Sequence, residues 1–213
     1  MTPQIMRCQA HISHHDAIKS TVPALKEWGA TIQALGQGKQ TVLFRKGGVR
    51  EPIFSVAPDD AFLLFPTAFH ADAAMLKPSA NLHDALTAPD PRHQPTLTLA
   101  HAARLTGAWT TDDPTLLPRL DHMHIYTQAF VDARLRWRAA QKLTILELRV
   151  WKLDPPICIP NEGHLWGCFS WVDVSAAPGW DTPGALALDD DAFAAKQAAL
   201  REALQVVEVL EGF

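Results

Sequence analysis

One stretch of the sequence constrains the fold more than any other. Residues 143–153 (LTILELRVWKL) predict a strand, because apolar and polar side chains alternate through its centre. Leu146, Leu148 and Val150 fall on one face of that strand. A second, aromatic-rich strand is predicted at 164–174 (HLWGCFSWVDV). The ten intervening residues are too few for a helical crossover, so we expect the two strands to form an antiparallel pair.

The remaining hydrophobic patterns predict a fold of the α+β class. Short strands alternate irregularly with a few helices, which does not match a regular βαβ array. We expect a mixed or mainly antiparallel sheet, open or closed into a small barrel, with flanking helices and a C-terminal helix. The predicted strands are 40–45, 53–56, 61–65, 96–100, 143–153 and 164–174, and the predicted helices are 21–36, 125–138 and one after the Asp189–Asp191 cluster.

Composition divides the chain into three parts. Residues 1–20 predict a polar N-terminal arm, residues 21–175 the main domain, and residues 176–213 a linker and an acidic C-terminal helix. Residues 1–172 hold 17 basic and 15 acidic residues, whereas residues 173–213 hold two basic and eight acidic residues. The formal net charge of −4 therefore argues against a polyanion partner only for the C-terminal part.

The sequence also indicates a compartment. No apolar run approaches the roughly 20 residues of a membrane helix, and no signal peptide is recognisable at the N-terminus. Three cysteines, Cys8, Cys158 and Cys168, do not suggest a disulfide framework. We therefore expect a cytoplasmic protein with no membrane association.

A cluster of cations around a glycine pair is the first candidate site. Lys39, Arg45, Lys46 and Arg50 flank Gly47 and Gly48. A Gly-Gly turn exposes backbone N–H groups, and the neighbouring cations would help it hold phosphate. The alternative is an ordinary hairpin turn with solvated charges.

A second basic region is interleaved with tryptophans. It comprises Arg134, Arg136, Arg138, Lys142, Arg149 and Lys152, with Trp137 and Trp151 among them. Basic grooves with aromatic platforms bind single strands and RNA loops. Arg134 and Arg138 share a helix face and Arg136 points elsewhere, so a solvated helix with buried tryptophans is the alternative.

Enzyme chemistry is a further option that the sequence leaves open. Asp59 or Asp60, Glu147 and His70 are candidates for a metal-dependent nuclease or a hydrolase. The Glu147-Leu148-Arg149 element lacks the lysine of a Glu-x-Lys nuclease motif, and a Glu–Arg pair that orders the sheet is the competing interpretation. Neither Cys-x-x-Cys nor His-Glu-x-x-His occurs, so no metal and no cofactor are expected.

Several ordered segments resemble a known bacterial family. They are ALKEWGATIQALGQGKQTVLFRKGGVRE (24–51), FLLFPTAFH and LKP (62–70 and 76–78), and HIYTQAFVDARL, LTILELRVWKL and WGCFSWVDV within 124–174. This pattern is similar to the domain-of-unknown-function family DUF1802, over roughly residues 24–175, with the acidic C-terminal helix outside the shared region. The family has no established activity, so the resemblance implies no mechanism.

A more distant similarity concerns the segment Gly38 to Arg45. Gly38, Thr41 and Arg45 match the opening signature of ASCH domains, which are relatives of the PUA RNA-binding barrel. Lys39 is displaced by one position, and Leu43 replaces the acidic residue of the signature. The resemblance implies a small β-barrel with a nucleic-acid cleft rather than an enzyme.

Together these patterns favour a nucleic-acid-binding module for RNA or single-stranded DNA. The residues expected to contact phosphate are Lys39, Arg45, Lys46, Gly47, Gly48 and Arg50, with Arg149 and Trp151 as secondary lining. The alternatives are the nuclease or hydrolase and a non-catalytic protein-interaction domain. In the latter, the acidic C-terminal helix binds a partner, masks the basic body or completes the core.

Overall fold

The computed structural model describes residues 20–46, 50–51, 54–55, 60–68, 72–204 and 208–209. Within these residues the strands are β1 (Ser20–Trp28), β2 (Val42–Arg45), β3 (Arg50–Glu51), β4 (Phe54–Ser55), β5 (Ala61–Thr67), β6 (Thr96–Thr111), β7 (Leu143–Pro160), β8 (Trp171–Ala176), β9 (Ala185–Leu186) and β10 (Glu208–Val209). The α-helices are α1 (Gly29–Gly36), α2 (His83–Thr87), α3 (Leu116–Arg119), α4 (Gln128–Arg136) and α5 (Asp190–Ala203). Short 3₁₀ turns lie at Ala73–Met75, Pro78–Ala80, Pro91–His93, Asp121–Met123 and Gly163–Leu165. None of these helices is long and apolar enough to cross a membrane.

One mixed sheet forms the centre of the protein. Its strand order is β2–β7–β6–β5–β1–β8, with β9 paired to β7 and β10 paired to β6. β1 and β5 run parallel, and the other described pairs are antiparallel. The predicted α+β class, with a mixed and mainly antiparallel sheet, is confirmed. No pairing joins β2 to β8 in the described part of the chain, so the sheet is open rather than closed into a barrel.

The strand predicted at 143–153 is the core of β7, which is longer than its alternation suggested. After an irregular stretch that contains Pro155 and Pro156, β7 resumes its pairing with β6 where Ile157 lies opposite Leu99. A proline is tolerated in such a bulge because it need not donate to the ladder.

The expected pairing of β7 with the next strand is wrong. β7 lies between β2 and β6, so both of its edges are already occupied, and β8 pairs with β1 instead. The strand predicted at 164–174 begins only at Trp171. Residues 166–170 form a loop at the amino end of β8, and that loop becomes part of the site described below.

The helix predicted at 21–36 is only half correct. Its first part is β1, which ends at Trp28, and α1 begins at Gly29. β1 has β8 on one side and β5 on the other, and both of its faces are buried, so apolar residues occur at both parities. Pro23 precedes the first pair with β5 at Ala24, so its missing N–H faces no partner there.

Two apolar layers cover the sheet. On one face, Leu25, Leu43, Phe62 and Leu148 from four strands pack against Ile32 of α1. A second cluster contains Leu200 of α5, Leu204 directly after that helix, and Trp109 of β6. The acidic C-terminal helix therefore contributes to the hydrophobic core.

Candidate functional site

A cavity of about 490 Å³ opens at one edge of the sheet. Because β1 and β5 are parallel, their carboxyl ends meet at this edge, and the antiparallel β8 starts there. Lining residues also come from the end of β2, a loop before β6, the last turn of α4 and the loop before β8. They are Lys26, Glu27, Trp28, Arg45, Lys46, Thr67, Arg92, Arg134, Trp137, Trp166, Gly167, Cys168, Phe169 and Ser170.

Positive charge dominates this lining. Among the described lining residues, five are cationic and the carboxylate of Glu27 is the one acidic group. That carboxylate is already compensated: its Oε2 accepts from Arg45 Nη1 at 3.0 Å, and its Oε1 accepts from the Trp28 N–H at 2.9 Å. The cavity is therefore suited to an anionic ligand.

Arg45 and Lys46 at the end of β2 have distinct structural roles. Arg45 Nη1 also donates to the backbone oxygen of Lys26 at 3.1 Å, which ties β2 to the end of β1. Lys46 is buried, and its Nζ donates to the carbonyl oxygens of Leu135 at 2.7 Å and Arg138 at 3.4 Å. An ammonium at these terminal carbonyls stabilises the end of α4 and anchors it beside the cavity.

Two aromatic rings at the cavity are strongly exposed. Trp137 is 48 % exposed and Phe169 is 37 % exposed. Each has a cation against it, since Arg138 lies 4.5 Å from the Trp137 ring and Lys26 Nζ lies 3.7 Å from the Phe169 ring. Gly167 permits this position of Phe169, because a Cβ on Gly167 would lie 2.3 Å from the ring.

The other two lining tryptophans are held more firmly. Trp28 meets Phe130 edge-to-face at 5.4 Å, and Trp166 meets Phe65 in the same way at 5.4 Å. The Trp166 indole N–H also donates to Asn161 Oδ1 at 2.7 Å. These contacts make Trp28 and Trp166 parts of a rigid wall.

The two remaining cations differ in how far they are engaged. Arg92 pairs with Asp90 at 2.6 Å, and this hydrogen-bonded pair lowers the pKa of the Asp90 carboxyl. Arg134 lies with its guanidinium 4.9 Å from the Phe130 ring and makes no hydrogen bond or ion pair with the residues that the structure describes.

The structure brings only some of the residues predicted from the sequence to this cavity. Arg45 and Lys46 line it. Lys39 lies outside the lining and donates from Nζ to the Ala80 carbonyl at 2.6 Å. Gly47 and Gly48, together with the side chain of Arg50, lie outside the described residues.

The two residues predicted as secondary lining lie elsewhere. Arg149 Nη2 pairs with Asp190 Oδ1 at 2.6 Å, at the start of α5. Trp151 is buried, and its indole N–H donates to the Trp180 carbonyl at 3.2 Å.

Most of the cavity was not predicted as a site. The basic-aromatic pattern of the sequence includes Arg134 and Trp137, but the local patterns assign Lys26 to a helix and residues 166–170 to a strand. The aromatic residues of the loop at 166–170 are a sequence signal that could have identified it as part of a binding site. Arg92 carries no local signal, because it stands in an ordinary proline-containing loop.

The candidates for enzyme chemistry do not converge in the described residues. Glu147 is fully buried, and its Oε2 accepts from Thr106 at 2.8 Å and Gln197 at 2.9 Å, while Arg201 lies 3.6 Å from its Oε1. Asp60 is exposed, and Asp59 and His70 lie outside the described residues. The described chain contains no group of three or more His, Cys, Asp or Glu side chains placed to hold a metal ion.

The cysteines described by the structure are in different states. Cys168 is a free, exposed thiol in the lining of the cavity. Cys158 is disulfide-bonded, which the sparse cysteine set did not predict.

Comparison with solved structures finds two ASCH structures among those that are similar. A crystal structure of a mutant of the ASCH protein of Zymomonas mobilis is 16 % identical, with 84 % of this chain and 94 % of that chain covered and a TM-score of 0.40. Another crystal structure of ASCH from Zymomonas mobilis is 14 % identical, with 87 % of this chain and 95 % of that chain covered and a TM-score of 0.38. A search of curated proteins finds no match.

A family profile matches most of the chain. The profile of a domain of unknown function (DUF1802) matches residues 24–199. The match extends into α5, so the expectation that the C-terminal helix lies outside the shared region is wrong, which agrees with the packing of α5 in the core. Because the matched region exceeds half of the chain, the protein belongs to the DUF1802 family.

Proposed function

We propose that this chain binds single-stranded nucleic acid, either RNA or single-stranded DNA, in the cavity at the carboxyl ends of β1 and β5. The observation that carries the proposal is the composition of the lining. Five cationic side chains and four aromatic rings surround a single, already paired carboxylate among the described lining residues. This is the combination of chemistry that single-strand binding requires.

The charge supports a phosphate backbone as the ligand. Cations that neutralise phosphates release counterions, so binding falls steeply as salt rises. Arg134 at the last turn of α4 is the proposed contact for one phosphate. Arg45 at the end of β2, whose Nη1 is bonded to Glu27, is the proposed contact for a neighbouring phosphate of the strand. Lys46 contributes positive charge and holds the end of α4 in place.

The aromatic rings support unpaired bases as the second part of the ligand. A base in a duplex is stacked on its neighbours and exposes only an edge in a groove, whereas an unpaired base can stack on a side-chain ring. Trp137 and Phe169 are the two lining rings with substantial exposed area. Lys39, Arg149 and Trp151 lie outside the cavity, and this proposal does not use them.

A cytoplasmic location, expected from the sequence, is part of the same proposal, although the disulfide of Cys158 is uncommon in that compartment. RNA and transiently single-stranded DNA are both available as ligands in the cytoplasm. Cell fractionation with an antibody to the chain tests it, and recovery of the protein outside the cytoplasm would contradict it.

The experiment that tests the proposed function is a salt titration of binding. Fluorescence anisotropy would follow a short labelled single strand, as RNA and as DNA, between about 50 mM and 200 mM salt. Two or three phosphate contacts predict a slope of log K against log salt of about −1.4 to −2.1. If neither strand binds at the lowest salt, the proposal is wrong.

One pair of variants distinguishes binding in the cavity from binding to surface charge in general. Arg134→Ala and Arg136→Ala each remove one cation from α4, but only Arg134 lines the cavity. Arg134→Ala is expected to weaken binding and to reduce the salt slope by roughly 0.7, the value of one phosphate contact on a single strand. Arg136→Ala should change the affinity and the salt slope much less. Equal effects of the two variants would indicate binding outside the cavity.

A further inference from the structure

We infer that the ligand unit of this cavity is one unpaired nucleotide, with its base on the rings of Trp137 and Phe169 and its phosphate on Arg134. The inference rests on the proposed function and narrows it from a strand to a single nucleotide unit. The same chemistry is present in a free nucleoside monophosphate and in an unpaired nucleotide of a longer strand.

The size of the cavity is the first argument. At about 490 Å³ it lies in the range of small-molecule sites, about 300–1,000 Å³. Binding sites for several nucleotides instead follow the backbone along a groove with successive stacking platforms.

The second argument concerns the faces of the two exposed rings. Lys26 Nζ is 3.7 Å from the centre of the Phe169 ring, and the Arg138 guanidinium is 4.5 Å from the Trp137 ring. A cation at this distance lies over one face of a ring, and the parts of both rings that remain exposed are available to a base. The other two lining tryptophans are engaged edge-to-face with phenylalanines and add no further platform.

The third argument identifies the phosphate ligand. Lys46 Nζ is bonded to the carbonyls of Leu135 and Arg138. Arg45 Nη1 is bonded to Glu27, and Arg92 is paired with Asp90. Arg134 has no such partner in the described chain, so its planar donor edge is available to a phosphate. It stands one helical turn before Trp137, so one end of α4 presents both a phosphate contact and a base platform.

This arrangement has a consequence for double-stranded ligands. A paired base reaches such a cavity only after it leaves the stack, which costs the free energy of unpairing and unstacking. The protein should therefore prefer single strands, loops and ends over a continuous duplex of the same sequence.

The test is a competition experiment with three arms. A labelled single strand is bound at low salt and then challenged with adenosine 5′-monophosphate, with inorganic phosphate or with an unlabelled duplex of matched sequence. We expect the monophosphate to displace the strand completely, with inorganic phosphate much weaker and the duplex weaker than an equal amount of single strand. Direct calorimetric titration of the monophosphate into the protein shows whether the free nucleotide binds on its own.

The outcomes distinguish this inference from the proposed function. Salt-dependent strand binding that the monophosphate does not displace overturns the single-nucleotide site and leaves the proposed function standing. Binding of the monophosphate without binding of any strand supports the site and overturns the proposed function, since the ligand is then a free nucleotide. Binding of neither overturns both.

Variants test the assignment of base and phosphate. Trp137→Ala and Phe169→Leu each remove a ring and should weaken monophosphate binding by about 5- to 150-fold, whereas Trp137→Phe should retain most of it. Arg134→Ala should weaken the monophosphate far more than it weakens the nucleoside adenosine, and Arg136→Ala should weaken neither. The substituted side chains are partly or largely exposed, so unchanged thermal unfolding checks that each variant is folded. Monophosphate affinity that survives both ring removals overturns the assignment.

Discussion

Arg149 of β7 and Asp190 of α5 form an ion pair in which Nη2 and Oδ1 are 2.6 Å apart. The same guanidinium donates to the Asp189 carbonyl at 3.1 Å and lies 4.4 Å from the Phe193 ring. A cation predicted as part of a nucleic-acid surface is therefore engaged by the first turn of α5. No residue of α5 lines the cavity, so the contact covers Arg149 without covering the cavity.

We expect the apolar contacts of α5, rather than this ion pair, to stabilise the helix against the sheet. Asp190 is 95 % exposed, so Asp190→Ala should leave the free energy of unfolding nearly unchanged. Leu200 is buried in the core, and Leu200→Ala should lower that free energy by about 2–5 kcal/mol. Urea titration measures both variants.

The Asp190→Ala variant also tests whether the acidic helix masks the basic body. Strand affinity should match the unsubstituted protein in Asp190→Ala, because α5 does not contact the cavity. Affinity that rises in this variant would instead support masking of the basic body by the acidic helix.

A buried histidine predicts a pH dependence of stability. Burial, and to a lesser extent the nearby charge of Lys77, lower the pKa of His124 from its ordinary value of 6.5 to about 4. Its Nδ1 accepts from the Tyr126 N–H at 3.2 Å, which requires that nitrogen to be unprotonated. The folded state therefore favours the neutral ring. Its stabilising contribution is complete above pH 6.5 and is lost as the pH falls toward 4.

The magnitude follows from linkage. A shift of this size corresponds to a loss on the order of 2–3 kcal/mol by pH 4. In His124→Gln, urea midpoints should fall less between pH 7 and pH 4 than in the unsubstituted protein, whereas the exposed His122 provides the control variant His122→Gln. Equal pH slopes in all three proteins would contradict the assignment.

The contrast between β7 and β1 shows what the sequence can predict. The centre of β7 alternates between apolar and polar side chains, and a local period of two identifies such a strand. In β1 and α1, the spacing of Leu25, Trp28, Ile32 and Leu35 matches a helix although the chain changes from strand to helix at Gly29. The pairing of β1 with β5 and β8 overrides that local pattern.

The cavity shows why sites are harder to predict than elements. Arg45 and Lys46 were identifiable because they belong to a local cluster of cations. Lys26, Arg92 and Phe169 are far apart in the sequence and converge only through long-range strand pairing and loop placement. Such proximity depends on the strand order of the sheet, and the local periodicity of hydrophobic residues contains no information about strand order.

A glycine in the loop before β8 supplies a test that leaves the ring itself intact. Gly167→Ala would place a Cβ 2.3 Å from the Phe169 ring, so the exposed ring must move. Nucleotide or strand affinity should then fall about as much as in Phe169→Leu. Gly163→Ala is the matched control, since a Cβ there meets nothing within 4 Å. If Gly167→Ala and Gly163→Ala bind equally well, Phe169 is not a base platform.

Variants of Lys46 and Lys39 distinguish phosphate binding in the cavity from phosphate binding at the cation cluster predicted around the Gly-Gly turn. Each donates from Nζ to backbone carbonyls, Lys46 at the end of α4 and Lys39 at Ala80. Lys46→Met keeps the apolar stem but leaves the Leu135 carbonyl without its donor, so the free energy of unfolding should fall by about 1–3 kcal/mol. Because the end of α4 carries Arg134 and Trp137, strand affinity should fall as well.

Lys39→Met provides the discriminating comparison. It removes the same charge and a similar hydrogen bond at an exposed position outside the cavity, so a smaller loss of stability and little change in affinity are expected. Anisotropy titrations at matched salt, made below the unfolding transition of each variant, measure the difference. If Lys39→Met lost as much affinity as Lys46→Met, the cavity would not be the phosphate-binding site. The cluster around Gly47 and Gly48 would then be the site, because it contains both lysines, whereas of these two only Lys46 lines the cavity.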